Sequence, residues 1–134
     1  MAQFEELNGQ GIFPLGEKNE AYAQFFTGQS YLKTLAQAPD GHFGVGNVTF
    51  EPGCRNNWHR HLGGYQILLV TGGQGLYQEA GKPAQVLRPG DVVVIADGVK
   101  HWHGATADSW FSHVAITAGQ AQWLEEVSEQ DYAQ

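Results

Sequence analysis

Gly53-Cys54-Arg55-Asn56-Asn57-Trp58-His59-Arg60-His61-Leu62-Gly63-Gly64-Tyr65-Gln66 is the stretch on which the reading of this chain turns. It runs directly into Ile67-Leu68-Leu69-Val70-Thr71, a run of strand formers. Residues two apart on a strand share a face, so His59 and His61 present two imidazoles to one point. Gln66 adds a carbonyl oxygen at the start of the apolar run. A second stretch, Gly90 to His103, supplies His101 as a candidate fourth ligand behind Val92-Val93-Val94-Ile95. Two histidine-bearing stretches about one hairpin apart predict a metal centre inside a small β-barrel.

Working outward, short strand-like runs recur from Tyr31 onward: Tyr31 to Leu35, Gly44 to Phe50, Gln66 to Thr71, Gly75 to Glu79, Ala84 to Arg88, Val92 to Ile95 and Trp110 to Thr117. Pro39-Asp40-Gly41, Gly81-Lys82-Pro83 and Arg88-Pro89-Gly90-Asp91 punctuate them. Many short strands at close spacing predict an all-β sandwich or barrel. Residues 1–30 read as an N-terminal arm, with a helical turn within Asn19 to Phe26 that puts Tyr22, Phe25 and Phe26 on one side. Residues 31–118 read as the barrel. Residues 119–134 read as a short C-terminal helical segment, because Trp123, Leu124 and Val127 fall at helical spacing among glutamates.

The chain has 134 residues, enough for one domain with its own core. Its net charge of -7, with seven scattered basic residues, argues against nucleic acid or an anionic membrane as partner. The lone Cys54 excludes a cysteine-built zinc cage and an internal disulfide. The acidic start lacks an apolar signal region, and no apolar run approaches the roughly 20 residues of a membrane span. A cytoplasmic protein acting on a small molecule is the expectation.

The spacing of glycines and histidines in both stretches resembles that of the cupins. In the first motif, Gly53, His59, His61 and Gly73 stand in place, with Gln66 where glutamate is usual. In the second, Gly90, Gly98 and His101 match, while Ala96 replaces proline and Ala105 replaces asparagine. Gln66, together with Lys100-His101-Trp102-His103-Gly104 and Val48-Thr49-Phe50-Glu51-Pro52-Gly53, is similar to the small bacterial cupins that include manganese-dependent hydroxynitrile lyases. Four residues separate His61 from Gln66, where those lyases have three.

The resemblance implies a cupin jelly-roll barrel that forms a homodimer or higher homo-oligomer. It also implies one divalent transition metal held by His59, His61, Gln66 and His101. Manganese leads, with Fe, Ni, Co and Zn also suited to three imidazoles and an amide oxygen. Replacing glutamate by Gln66 leaves the ion its full charge as a Lewis acid. The activity implied is carbon–carbon cleavage of a cyanohydrin, with His103 or His113 as general base. Two alternatives stay open: Fe- or Mn-dependent dioxygenase chemistry, and a non-catalytic module binding a small molecule or metal.

Other residues have plainer readings. Trp58 and Trp102 alternate with the ligands, so they pack on the opposite face. Gly44 and Gly46 share a face, and either leave room for a ligand or mark a bulge. Arg55, Asn56 and Asn57 read as turn residues, His42 as solvated, Cys54 as an inert buried thiol and Asp91 as a turn former.

Overall fold

The computed structural model describes residues 12–133. Its strands are β1 (Glu17–Lys18), β2 (Phe26–Thr27), β3 (Ser30–Gln37), β4 (Phe43–Phe50), β5 (Arg55–Asn56), β6 (His59–Gly73), β7 (Gly75–Glu79), β8 (Gln85–Leu87), β9 (Val92–Ile95), β10 (His101–Ala105) and β11 (Phe111–Trp123). A 3₁₀ turn spans Ala23–Phe25 and a terminal helix, α1, spans Glu129–Tyr132. All pairings are antiparallel, in the order β1-β3-β4-β11-β6-β10-β5-β2, with β7 on β10, β8 on β7 and β9 on β6. The sheet curls on itself. Alternation along each strand sends Phe50, Leu68, Val70, Tyr77, Ile95 and Phe111 to its inner face, where they form the main core.

β7 and β9 have the bounds of their predicted runs, and the runs at Tyr31, Gly44 and Gln66 fall inside β3, β4 and β6. β8 is shorter than the predicted Ala84 to Arg88, and β11 begins one residue after the predicted Trp110 and runs on to Trp123. Of the predicted arm, residues 1–11 lie outside the described residues. Beyond them, β1 pairs with β3 and β2 with β5, so residues 17–18 and 26–27 extend the sheet. The C-terminal helix is much shorter than its spacing predicts. Gln120 to Trp123 continue β11, because their backbone pairs with Arg60, His59 and neighbours at the start of β6. Cross-strand pairing outweighs local periodicity here. Only Glu129–Tyr132 are helical, capped by the Ser128 hydroxyl, which accepts from the Asp131 amide at 3.0 Å.

Trp58 and Trp102 lie on the outer face with Val127, Leu76, Leu124 and Tyr132, and the Trp102 indole donates to Gln78 Oε1 at 2.9 Å. Arg55 to Asn57 are not a solvated turn. Arg55 and Asn56 form β5 and all three are buried, because β10 and the C-terminal segment cover them. The Arg55 guanidinium holds α1 in place. It lies 2.8 Å from Glu129 Oε1 and 4.3 Å from the Tyr132 ring centroid.

One irregularity sets the site. His61 and Gln66 are five residues apart, so on a regular strand they would face opposite sides. β6 instead pairs Leu62 with Gln120 and Tyr65 with Ala118, so Gly63 and Gly64 stand against the single residue Gly119. Gly63 and Gly119 take φ of 75° and 86°, and a Cβ on Gly64 would strike the Ala118 carbonyl. The bulge restores inward facing, and His59, His61, Gln66, Leu68 and Val70 are all buried. The extra residue after His61 therefore does not carry Gln66 away from the histidines.

Candidate metal centre and adjoining cavity

β6 delivers His59, His61 and Gln66 to one side, and β10 delivers His101, whose Cα is in register with His59. The three histidines are at most 3% exposed, and one ring nitrogen of each lies within 4.8 Å of the others. His59 Nδ1 is 2.8 Å from the Asn57 carbonyl and His101 Nδ1 is 2.9 Å from the Val99 carbonyl. A carbonyl can only accept, so each ring carries its hydrogen on Nδ1 and turns a bare Nε2 lone pair inward.

Gln66 meets them with its oxygen. Its amide nitrogen donates to Thr117 Oγ1 at 3.0 Å, leaving Oε1 at 3.2 Å from His61 Nε2 and 3.4 Å from His101 Nε2. The His101 Nε2 lone pair thus faces a carbonyl oxygen, acceptor against acceptor. A cation between them removes that repulsion. Ligands at right angles about 2.1 Å from one ion lie roughly 3.0 Å apart, close to these separations. The residues fit a divalent ion with three nitrogen donors and one oxygen donor.

Electrostatics keep the donors ready. Burial, followed by the neighbouring His101, drives the His59 pKa well below its usual value, against the pull of the Asn57 carbonyl. Burial lowers His61 and pushes His101 down to about 4. Neutral imidazoles need lose no proton to ligate.

His103 and His113 lie beside this cluster. Both are at most 3% exposed, and His103 Nδ1 is 3.3 Å from His113 Nε2. Burial, then the facing His113, drives His103 well below its usual range, and burial pushes His113 down to about 3. Asn56 fixes the pair from behind. Its Oδ1 accepts the His103 backbone N–H at 2.9 Å, which turns its amide NH₂ toward the imidazole, 3.3 Å from the ring nitrogens.

A cavity of about 330 Å³ opens onto His59, His61, Gln66, His103 and His113. Tyr22, Phe26 and Trp123 give it an aromatic side, and Gly44, Gly46 and Ala115 give it a side of small residues. Among the described residues no Asp, Glu, Lys or Arg lines it. Trp123 lies with its ring centroid 4.6 Å from that of His59 and is stacked on Phe25 at 4.7 Å. Helical spacing had placed this indole on a surface helix, and its register opposite His59 brings it to the site instead. Asn56 and Thr117 also escape a reading by motif, since only the folded register sets them against His103 and Gln66.

His42 is distant and solvated, with 82% of its side chain exposed. Cys54 is buried, and burial pushes its thiol up to about 12, so it carries no thiolate near neutrality. Asp91 caps its turn by accepting the Arg88 amide at 2.8 Å.

A cupin domain model matches residues 46–117, which hold every histidine of the cluster. The chain belongs to the cupin family. Its curled sheet is the cupin jelly roll, and among similar proteins are one curated enzyme and several solved cupins. The (R)-mandelonitrile lyase of Granulicella tundricola is 44% identical over 115 residues, covering 82% of this chain and 87% of that one. The crystal structure of a cupin-like protein from Thermotoga maritima is 46% identical, with a TM-score of 0.83 over 90% of this cupin and 93% of that chain. A predicted oxalate decarboxylase from the same organism shares the fold alone, at 18% identity and a TM-score of 0.70 over 90% of this chain and 99% of that one. No helix among the described residues is long and apolar enough to cross a membrane.

The buried histidines make the metal-free cupin sensitive to acid. A histidine held neutral in the fold, with a pKa near 6.5 once unfolded, takes up a proton on unfolding anywhere between the two values. Stability is therefore full above about 6.5 and is lost as the pH falls toward 4, through His59, His61, His101, His103 and His113 together. The melting temperature of chelator-treated protein should drop steeply from pH 6.5 to about 4.5. A flat melting temperature across that window would contradict the burial of these rings.

Proposed function

We propose that this cupin is a metal-dependent lyase of hydroxynitrile-lyase type. It would split an uncharged cyanohydrin into an aldehyde or ketone and hydrogen cyanide. The observation that carries the reading is the His103–His113 pair, which opens onto the same cavity as the ligand cluster, 3.3 Å apart and neutral. A protein that merely bound metal would have no use for a second buried imidazole pair. The 44% identity to a mandelonitrile lyase over most of the chain supports the same reading.

His59, His61, Gln66 and His101 would hold the ion, with manganese the leading candidate. Once bound, it supplies a Lewis acid for the substrate's hydroxyl oxygen. The protein's own residues do the rest. The His103–His113 pair takes the hydroxyl proton, Asn56 holds His103 in place for that transfer, and the aromatic side of the cavity orients the substrate. As the oxygen becomes a carbonyl, the bond to the nitrile carbon breaks with its electron pair, and cyanide leaves. The proton held by the pair then passes to cyanide. The cavity lining suits this sequence, because among the described residues no fixed carboxylate there competes for the proton and no lysine or arginine there retains the anion.

Manganese-loaded protein given racemic mandelonitrile is expected to release benzaldehyde at the same rate with and without dioxygen. An absolute need for dioxygen would replace the lyase with an oxygenase. No release with manganese, iron, cobalt, nickel or zinc would remove the lyase reading.

A further inference from the structure

Gly44 is a glycine with no backbone reason to be one. It lies within β4, its Cα paired with Thr117 of β11 and Gln37 of β3, and its φ is outside the left-handed region. A Cβ built on it meets nothing within 4 Å. Gly64 differs, since its backbone position excludes any side chain. A glycine inside a strand gives up more conformational freedom on folding than any other residue and offers nothing to pack. The sheet alone would be better served by almost any other residue at position 44.

The register explains what the missing side chain leaves. Thr117 pairs with both Gly44 and Gln66, and all three line the cavity that meets the histidine cluster. The bulge that could have accounted for glycines here lies on β3, between Thr34 and Ala36, and Gly44 is paired regularly beyond it. The space at Gly44 is therefore cavity space. Tyr22, Phe26 and Trp123 line the same cavity, and among the described residues no charged side chain does.

We propose that Gly44 is a specificity-determining residue that keeps room for the aromatic ring of an uncharged substrate while its oxygen reaches the His59–His61–Gln66–His101 cluster. This rests on the lyase reading above, and extends it to the size and character of the group carried by the reacting carbon. A Cβ at position 44 would enter that space without meeting any neighbouring atom within 4 Å.

The test compares manganese-loaded wild type, Gly44→Ala and Gly44→Val on mandelonitrile and on acetone cyanohydrin, which has no ring. The ratio of kcat/KM for mandelonitrile to that for acetone cyanohydrin should fall about tenfold or more in Gly44→Val. Gly44→Ala should show a smaller fall. The change should sit in KM, and the melting temperature should hold or rise. Calorimetry should show benzaldehyde binding weakened in the same order. An unchanged ratio overturns the proposal, as does an equal loss on both substrates with a lower melting temperature. If wild type cleaves neither cyanohydrin, the lyase reading fails, and benzaldehyde binding decides the role of Gly44 independently. Weaker binding in Gly44→Val then supports it, and equal binding overturns it.

Discussion

His101→Ala protein is expected to retain less than about a tenth of the divalent metal that the unaltered chain holds under the same conditions. The expectation follows from how the cluster is held. His101 is fully buried, and its ring is turned by the Val99 carbonyl so that Nε2 points toward Gln66 Oε1. Alanine leaves two imidazoles and one amide oxygen, and the nearest other imidazole, His103, has its ring centroid 5.8 Å from that of His101 and is engaged with His113 and Asn56. His59→Ala should behave alike, since its ring is held in the same way by Asn57. His42→Ala should bind metal normally, because His42 stands in solvent. The variants should keep a β-rich circular dichroism spectrum, as the main core of Phe50, Leu68, Ile95 and Phe111 contains none of the ligands. Equal metal in all three variants, measured by elemental analysis at equal folding, would dissolve the proposed centre.

The second large effect concerns the pair behind the cluster. Replacing His103 or His113 by alanine should lower turnover of mandelonitrile roughly a hundredfold or more while metal content stays near wild type. Because each ring is the other's hydrogen-bond partner, the double variant should lose little more than the worse single one. His113 adds a check by pH. Its pKa is pushed down to about 3, so the neutral, proton-accepting form persists well below pH 6.5. The rate should not bend downward at 6.5, the usual place for an imidazole. Full activity in both single variants would remove the histidine pair from the mechanism. Loss of metal from the His103 variant would move that residue into the ligand set.

The runs of β7 and β9 and the pairing of His59 with His61 on one face could be read directly, because strand propensity and strand periodicity are local properties. The meeting of two distant stretches at His59 and His101 was legible only through the glycine and histidine spacing. What stayed hidden was set by register between strands far apart in sequence. Trp123 looked helical and became a cavity residue, because the tail of β11 found its hydrogen-bond partners on β6. Asn56 looked like a turn residue and became the support of His103, because β10 and the C-terminal segment buried the loop that carries it. Neither arrangement leaves a trace in a window of neighbouring residues.

The three-glycine bulge bears on how such sites should be sought in other chains. If a strand can swallow a residue between the second histidine and its oxygen ligand, the number of residues between them is a poor ruler. Whether the two point the same way is the quantity that matters. An odd separation excludes a shared face only when no compensating irregularity accompanies it. In this chain the compensation is spelled out as a glycine pair after the histidine and a left-handed glycine some fifty residues later on the neighbouring strand. A search pattern that fixes the gap passes over such chains. One that lets the gap vary by a residue whenever those glycines appear together would find them.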